Sequence, residues 1–211
     1  MSAAAPILLI GAGGHAAACI DVIEQDGRFT VAGVVGTKEE VGQRVLGYPV
    51  LGTDEDLPAL VGRYQNVLIS IGQIKTPTPR IRLFERLQQI GCTMPVIVSP
   101  RAYVSPRASI GAGTIVMHGV TVNVAASIGR NCILNSMCLV EHGAAIADHC
   151  HLATAAVVNG GAAVGSGTFL GSHCTIRQGI RIGERCIIGM GEKVSHDCEP
   201  GARLPAQRSF N

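Results

Sequence analysis

From Val98 onward an aliphatic residue returns at every sixth position of the chain: Val98, Val104, Ile110, Val116, Val122, Ile128, Leu134, Val140, Ile146, Leu152, Val158, Val164, Leu170, Ile176, Ile182, Ile188 and Val194. Seventeen hexads follow one another without an insertion. Four residues after the aliphatic stands a small or compact one, among them Ala108, Thr114, Ala126, Cys132, Cys138, Ala144, Cys150, Ala156, Cys174 and Cys186, until a charge appears there near the end, at Glu192. A period of six fits neither a helix nor a lone strand. It predicts short strands that turn a corner every six residues and stack as a solenoid, the mark of a parallel β-helix. The large aliphatic fills the narrow interior and the small residue fits beside it. Gly after the aliphatic, at 111, 129, 165, 183 and 189, is expected to supply backbone freedom at corners.

Before Val98 the pattern changes. Apolar runs at Pro6–Ile10, Phe29–Val35, Val50 and Asn66–Ile71 predict strands. Between them, Ala16–Gln25, Asp54–Val61 and Arg80–Ile90 predict helices, the last with Ile81, Phe84, Leu87 and Ile90 inward. Strands alternating with helices imply a small Rossmann-like parallel sheet covered by helices. The chain thus divides into an α/β unit over 1–97, a β-helix over 98–199 and an irregular tail over 200–211. After Val194 the hexad register is expected to stop.

Composition narrows the classes. Hydrophobic residues make up 47% of the chain and aromatics only 3%, without tryptophan, which suits a thin aliphatic column. A net charge of +2 without a basic run disfavours nucleic acid and anionic membranes as partners. No apolar stretch nears the length of a membrane span, and Met1–Ile10 lacks the basic start of a signal peptide. The expected compartment is the cytoplasm. Six of the eight cysteines lie in the small-residue register, so reduced cysteine acting as apolar filler is the expectation. The runs Asp148-His149-Cys150-His151 and His196-Asp197-Cys198 contain metal-ligand types, but strand neighbours point to opposite sides. No metal is expected.

Two places carry candidate chemistry. Gly11-Ala12-Gly13-Gly14-His15-Ala16 follows the first strand and opens a helix, where backbone N–H groups can hold a phosphate. A nicotinamide enzyme also needs an acid at the end of the second strand. Gly33-Val34-Val35-Gly36-Thr37 has none before Glu39, which disfavours a dehydrogenase and leaves a nucleotide-linked ligand. In the repeats, His142 occupies the third place of its hexad. Its equivalents one coil away are Val124 and Gly160, and Gly160 leaves room beside an imidazole. An imidazole is too polar for the aliphatic column, so it is expected to face outward.

These features together resemble the bacterial hexapeptide-repeat sugar acyltransferases of the PglD/NeuD group. The resemblance rests on Gly11–His15, on Ile71-Gly72 followed by Arg80, and on Ile133-Leu134-Asn135-Ser136 with Val140-Glu141-His142 and His151. It implies a left-handed β-helix, a sense that general packing rules alone would not give. It also implies a homotrimer with acetyl-CoA between adjacent β-helices, transferring acetyl to a nucleotide-linked amino sugar. On that resemblance His142 is the general base, with Glu141 and Asn135 beside it. His151, Gly160, Ser172 and Met190 contact acetyl-CoA, and Gly13, Gly14, His15 and Gly72 hold the nucleotide sugar. The family places an acid directly after its catalytic histidine; here that residue is Gly143, so Glu141, Asp148 or a main-chain carbonyl is left to orient His142. Relatives often carry acids at the positions of Val35-Gly36. O-acetylation of a sialic-acid-type sugar, a non-catalytic sugar-nucleotide-binding β-helix and a γ-class carbonic anhydrase-like β-helix remain as alternatives.

Overall fold

A computed structural model describes residues 4–204. The first strand, β1 (Ala5–Ile10), lies inside a five-stranded sheet, between β2 (Phe29–Val35) and the edge strand β5 (Asn66–Ile69), parallel to both. Beyond β2 lies β4 (Tyr48–Gly52), also parallel, and at the edge β3 (Arg44–Val45), which forms an antiparallel hairpin with β4 that the sequence pattern does not reveal. Ile7 to Ile10 are almost wholly buried, as a strand covered on both faces requires. The covering helices are α1 (Gly14–Asp26), α2 (Leu57–Tyr64) and α3 (Thr78–Ile90). Helix α3 is rotated from its expected setting: it buries Arg80, Phe84 and Leu87, while Ile81 is half-buried. Arg80 displaces Ile81 from the inward stripe because its guanidinium has four oxygen acceptors waiting beneath it.

The repeats form three parallel sheets of two-residue strands, set as the three faces of a prism. Face I has seven strands, from Ile97–Val98 through Ile133–Leu134, His151–Leu152 and Phe169–Leu170 to Arg203–Leu204. Face II has six, from Tyr103–Val104 through Leu139–Val140 to Lys193–Val194, and face III five, from Ser109–Ile110 to Arg181–Ile182. Pairing is between residues eighteen apart, as with Ile133 and His151, so one coil takes three hexads. The second residue of each strand turns inward: Val116, Leu134, Leu152, Leu170 and Ile188 stack with no exposure. This is the expected fold, a Rossmann-like α/β unit followed by a left-handed parallel β-helix.

Glycine plays a different part from the one expected. Gly111, Gly129, Gly165 and Gly183 form a column at the corner from face III to face I. A Cβ on any of them would come within 2.7 Å of the backbone of the next coil. From Gly113 onward left-handed backbone falls at the third position of the corners, at Gly113, Gly143 and Gly167 but also at Ala125, Asn131, Met137, His149 and Arg185. The chain end also departs from expectation. Arg203–Leu204 is a strand paired with Ile187–Ile188, sixteen residues away rather than eighteen. Two residues are dropped after Val194, where Asp197 Oδ1 accepts the N–H of Arg181. Residues 205–211 of the expected irregular tail lie outside the described residues.

The two units are bolted together by polar groups. Arg80 donates to the carbonyls of Ile69 and Ile71 on one side, and to the backbone O and Oδ1 of Asn131 on the other, at 2.7–3.2 Å. Gln73 Nε2 donates to the carbonyls of His149 and Gly167. At the first coil, His118 links Ser99 Oγ to Asp21 Oδ2 of α1, at 2.6 and 2.8 Å.

Candidate active site

At the carboxyl ends of β1 and β2 opens a cavity of about 740 Å³, whose lining includes Gly11, Gly13, Thr37, Glu40, Arg82 and Arg86. Ligands of open parallel sheets bind at this edge. Gly11 has φ 117°, and any side chain there would run into Ile71, so the chain must turn through glycine. Gly13 caps α1 without a side-chain acceptor and the first turn carries no acid. The helix therefore presents free N–H groups and the positive end of its dipole to the cavity. Arg82 and Arg86, four apart on α3, add positive charge to the wall. Val35 and Gly36 line it too, and Glu40, which accepts from Thr37 N at 2.8 Å, supplies a carboxylate there. That carboxylate was not legible from the spacing.

His15 lies in the first turn of α1, at the inner end of the glycine loop, and its ring centroid is 6.4 Å from that of His151 on face I. Gln73 and Gly72 cross between β5 and the β-helix at the same junction. His151 Nδ1 is 2.6 Å from the carbonyl oxygen of Gln73, and its ring meets Phe169 edge-on at 5.2 Å. His151 is 7% exposed. Its pKa is lowered to about 4, mainly by burial and against the Gln73 hydrogen bond, with Arg80 lowering it further. Burial likewise lowers His15 to about 4, with Arg80 and His151 contributing. The Nε2 atoms of both rings are sealed from solvent and have no partner among the described residues.

His142 is exposed at the corner from face II to face III. Its ring lies over Gly160: a Cβ there would fall 2.6 Å from Cε1. Neither acid considered for orienting the ring reaches it. Glu141 accepts from the backbone N–H of His142 and from Asn123 Nδ2, at 3.1 and 3.0 Å. Asp148 is held at a different corner by Arg130. Gly143 is in left-handed backbone with φ 65°. Asn135 does not sit beside His142 in the chain. It starts the other corner of face II, where Oδ1 caps the N–H of Ser136.

The corner from face I to face II holds Ser172 and Met190, one coil apart. At this second corner position the preceding side chain caps the N–H where it is Asn135. Ser172 and Met190 follow Gly171 and Gly189, which have nothing to cap with, and among the described residues their N–H groups have no acceptor. The N–H of Gly160 is free in the same sense. His142 thus stands at one edge of face II, with Ser172 and Met190 at the other and His151 on face I beyond it. A single chain does not close these groups around one point. The outward side chains of face II include Tyr103, Leu139 and Val157, flanked by Met137 and Val124. Tyr103 is 57% and Met137 69% exposed; with Leu139 and Val157 they form an apolar patch on a face whose other outward positions are Thr121, Thr175 and Lys193, and no described residue packs over it. The side chains of Asp148-His149-Cys150-His151 diverge: Asp148 binds Arg130, His149 bonds Asn131, Cys150 turns inward and His151 bonds Gln73.

Residues 6–87 match the model of the PglD N-terminal domain, and residues 161–193 that of the hexapeptide repeat of succinyl-transferase. The fold superposes on perosamine N-acetyltransferase of Caulobacter crescentus, seen as a histidine-to-asparagine mutant with CoA and GDP-perosamine. The TM-score is 0.90 and the identity 31%, over 96% of this chain and 94% of that one. The acetyltransferase domain of PglB from Neisseria gonorrhoeae, in complex with acetyl coenzyme A, matches at TM-score 0.88 and 25% identity, over 96% and 97%. WeeI from Acinetobacter baumannii shares the fold at TM-score 0.74 and 18% identity, over 96% and 97%. No curated protein matches.

Proposed function

The chain belongs to the family of hexapeptide-repeat sugar acetyltransferases that includes perosamine N-acetyltransferase, and on that premise we propose that it transfers acetyl from acetyl-CoA to the amine of a nucleotide-linked amino sugar. The observation that carries this reading is the continuity of two sites. The cavity of the α/β unit is lined by Gly11, Ala12 and Gly13, His15 follows them in the first turn of α1, and its ring centroid is 6.4 Å from that of His151 of the β-helix. A nucleotide diphosphate at Gly13, Gly14 and the start of α1, with Gly72 alongside, directs its sugar to that junction.

The apolar face II supports a homotrimer around it. Turning face II toward a threefold axis brings the corner that carries His142 in one copy to the corner that carries Ser172 and Met190 in the next. His142 then reaches the groove beside His151 of the neighbour, and Asn135, remote from His142 within the chain, comes near it between copies. Acetyl-CoA fits this groove lengthwise, its pantetheine carbonyls taking the free N–H groups of Ser172 and Met190. The missing Cβ of Gly160 is what lets the His142 ring lie flat against the groove.

An imidazole can take a proton from an attacking group and pass it on, which suits general base catalysis. His142 takes one proton from the attacking amine as nitrogen bonds to the thioester carbon. Collapse of the tetrahedral intermediate breaks the C–S bond, and the proton passes to the departing thiolate. A cytoplasmic setting, where acetyl-CoA and nucleotide sugars occur and thiols stay reduced, agrees with eight free cysteines. Gly143 favours a second reading, a binding protein that has lost turnover. Incubation with acetyl-CoA and a panel of nucleotide 4-amino sugars separates the two. Release of CoA with a particular acceptor supports the enzyme, whereas calorimetric binding of both ligands without CoA release refutes it.

A further inference from the structure

His151 is locked in one tautomer. Its Nδ1 lies 2.6 Å from the carbonyl oxygen of Gln73, and a carbonyl can only accept, so Nδ1 carries the proton. Burial keeps the ring neutral, with its pKa lowered to about 4. A neutral imidazole protonated at Nδ1 presents a bare lone pair at Nε2. That lone pair is buried and has no partner among the described residues, and the ring of His15, whose Nε2 is likewise unpartnered, has its centroid 6.4 Å away. A buried acceptor left unmatched is costly, so the group that completes this site must bring a hydrogen. A thioester carbonyl has none to bring, nor has the oxyanion formed from it.

The nucleophile has one. A neutral primary amine carries two N–H bonds when it attacks. We propose that His151 selects the amine: its Nε2 accepts the N–H that His142 does not remove, and the site thereby takes amino sugars and rejects their hydroxyl counterparts. This rests on the acetyltransferase reading above. As the C–N bond forms and the C–S bond breaks, one proton goes by way of His142 to the thiolate of CoA. The other stays on nitrogen and becomes the amide N–H of the product, still bonded to His151. A hydroxyl has a single hydrogen. Given to the base, it leaves Nε2 of His151 facing an oxygen lone pair; given to His151, it is out of reach of the base. Sites built to meet one particular hydrogen discriminate strongly against a ligand that lacks it.

Two measurements on the full-length protein test this. In 15N NMR with labelled histidine, assigned by difference from His151→Phe, Nε2 of His151 is expected to show the unprotonated, pyridine-type signal at neutral pH; a pyrrole-type signal overturns the proposal. In kinetics, acceptors differing only in amine against hydroxyl at the reacting carbon are compared in wild type, His151→Phe and His151→Gln. The wild type is expected to favour the amine by at least about a hundredfold. That ratio should collapse by tenfold or more in His151→Phe and partly return in His151→Gln, whose amide oxygen is again an acceptor. An unchanged ratio overturns the proposal. So does a loss confined to the KM for acetyl-CoA, which would place a pantetheine N–H on Nε2 instead. A wild type that binds CoA and acetylates no amine would refute the acetyltransferase reading itself, a result distinct from turnover with an unaltered ratio.

Discussion

The carbon that Gly160 lacks would stand 2.6 Å from Cε1 of His142, one coil above it. The imidazole lies on bare backbone, and no carboxylate among the described residues fixes it. In Gly160→Ala the ring must swing off its seat. The backbone at 160 is not in the left-handed region, so the fold should tolerate the methyl. Displacing a reacting group by about an ångström can cost on the order of a hundredfold. We expect kcat to fall tenfold to a hundredfold with an unchanged melting temperature, checked by steady-state kinetics beside calorimetry.

Arg80 is 1% exposed and has no carboxylate partner among the described residues, where its four hydrogen bonds go to Ile69, Ile71 and Asn131. Arg80→Met leaves these oxygens without donors at the junction between the two units. Each buried polar group left unmatched costs roughly 1–3 kcal/mol, so a loss of about 3 kcal/mol or more is expected in urea unfolding. Arg80→Lys should restore little, because one ammonium cannot span both sides of the seam as the guanidinium fork does.

Stability should decline in mild acid. His15 and His151 have ordinary pKa values in the unfolded chain and values of about 4 in the folded one, so below about pH 6.5 the unfolded chain binds more protons. Their contribution is fully present above that pH and is lost as pH falls toward 4, at no more than about 1.4 kcal/mol per pH unit for each ring. Denaturation midpoints between pH 8 and pH 4.5 should drop for the wild type. They should drop less for a His15→Gln, His151→Phe double variant.

Face II should be the contact between copies. Leu139→Arg places charge between Thr121 and Val157 on the outward side without touching the inner column, where Val140 is the buried neighbour. Light scattering should find trimers for the wild type and monomers for the variant. Circular dichroism should be unchanged, and acetyl transfer lost with the shared groove.

The β-helix was legible because its period is rigid: one skipped residue would turn every Val, Ile and Leu of the column outward. The register therefore gave the coil, the outward setting of His142 and the space at Gly160. What it could not give were contacts between distant segments. The inward turn of Arg80 depends on Asn131, and the burial of His151 depends on the loop at Gln73. Glu141 looked like a partner for the His142 ring, yet a corner directs its carboxylate back to the N–H of the next residue. The two residues dropped after Val194 hid the last strand, because Leu204 rejoins the column out of step.

The most direct test is acetyl transfer to a nucleotide 4-amino sugar by the wild type and by His142→Asn, which keeps a polar side chain on the Gly160 seat. The account predicts CoA release by the wild type, and a fall in kcat of about a hundredfold to ten-thousandfold in the variant with acetyl-CoA still bound. Undiminished turnover by His142→Asn would contradict it.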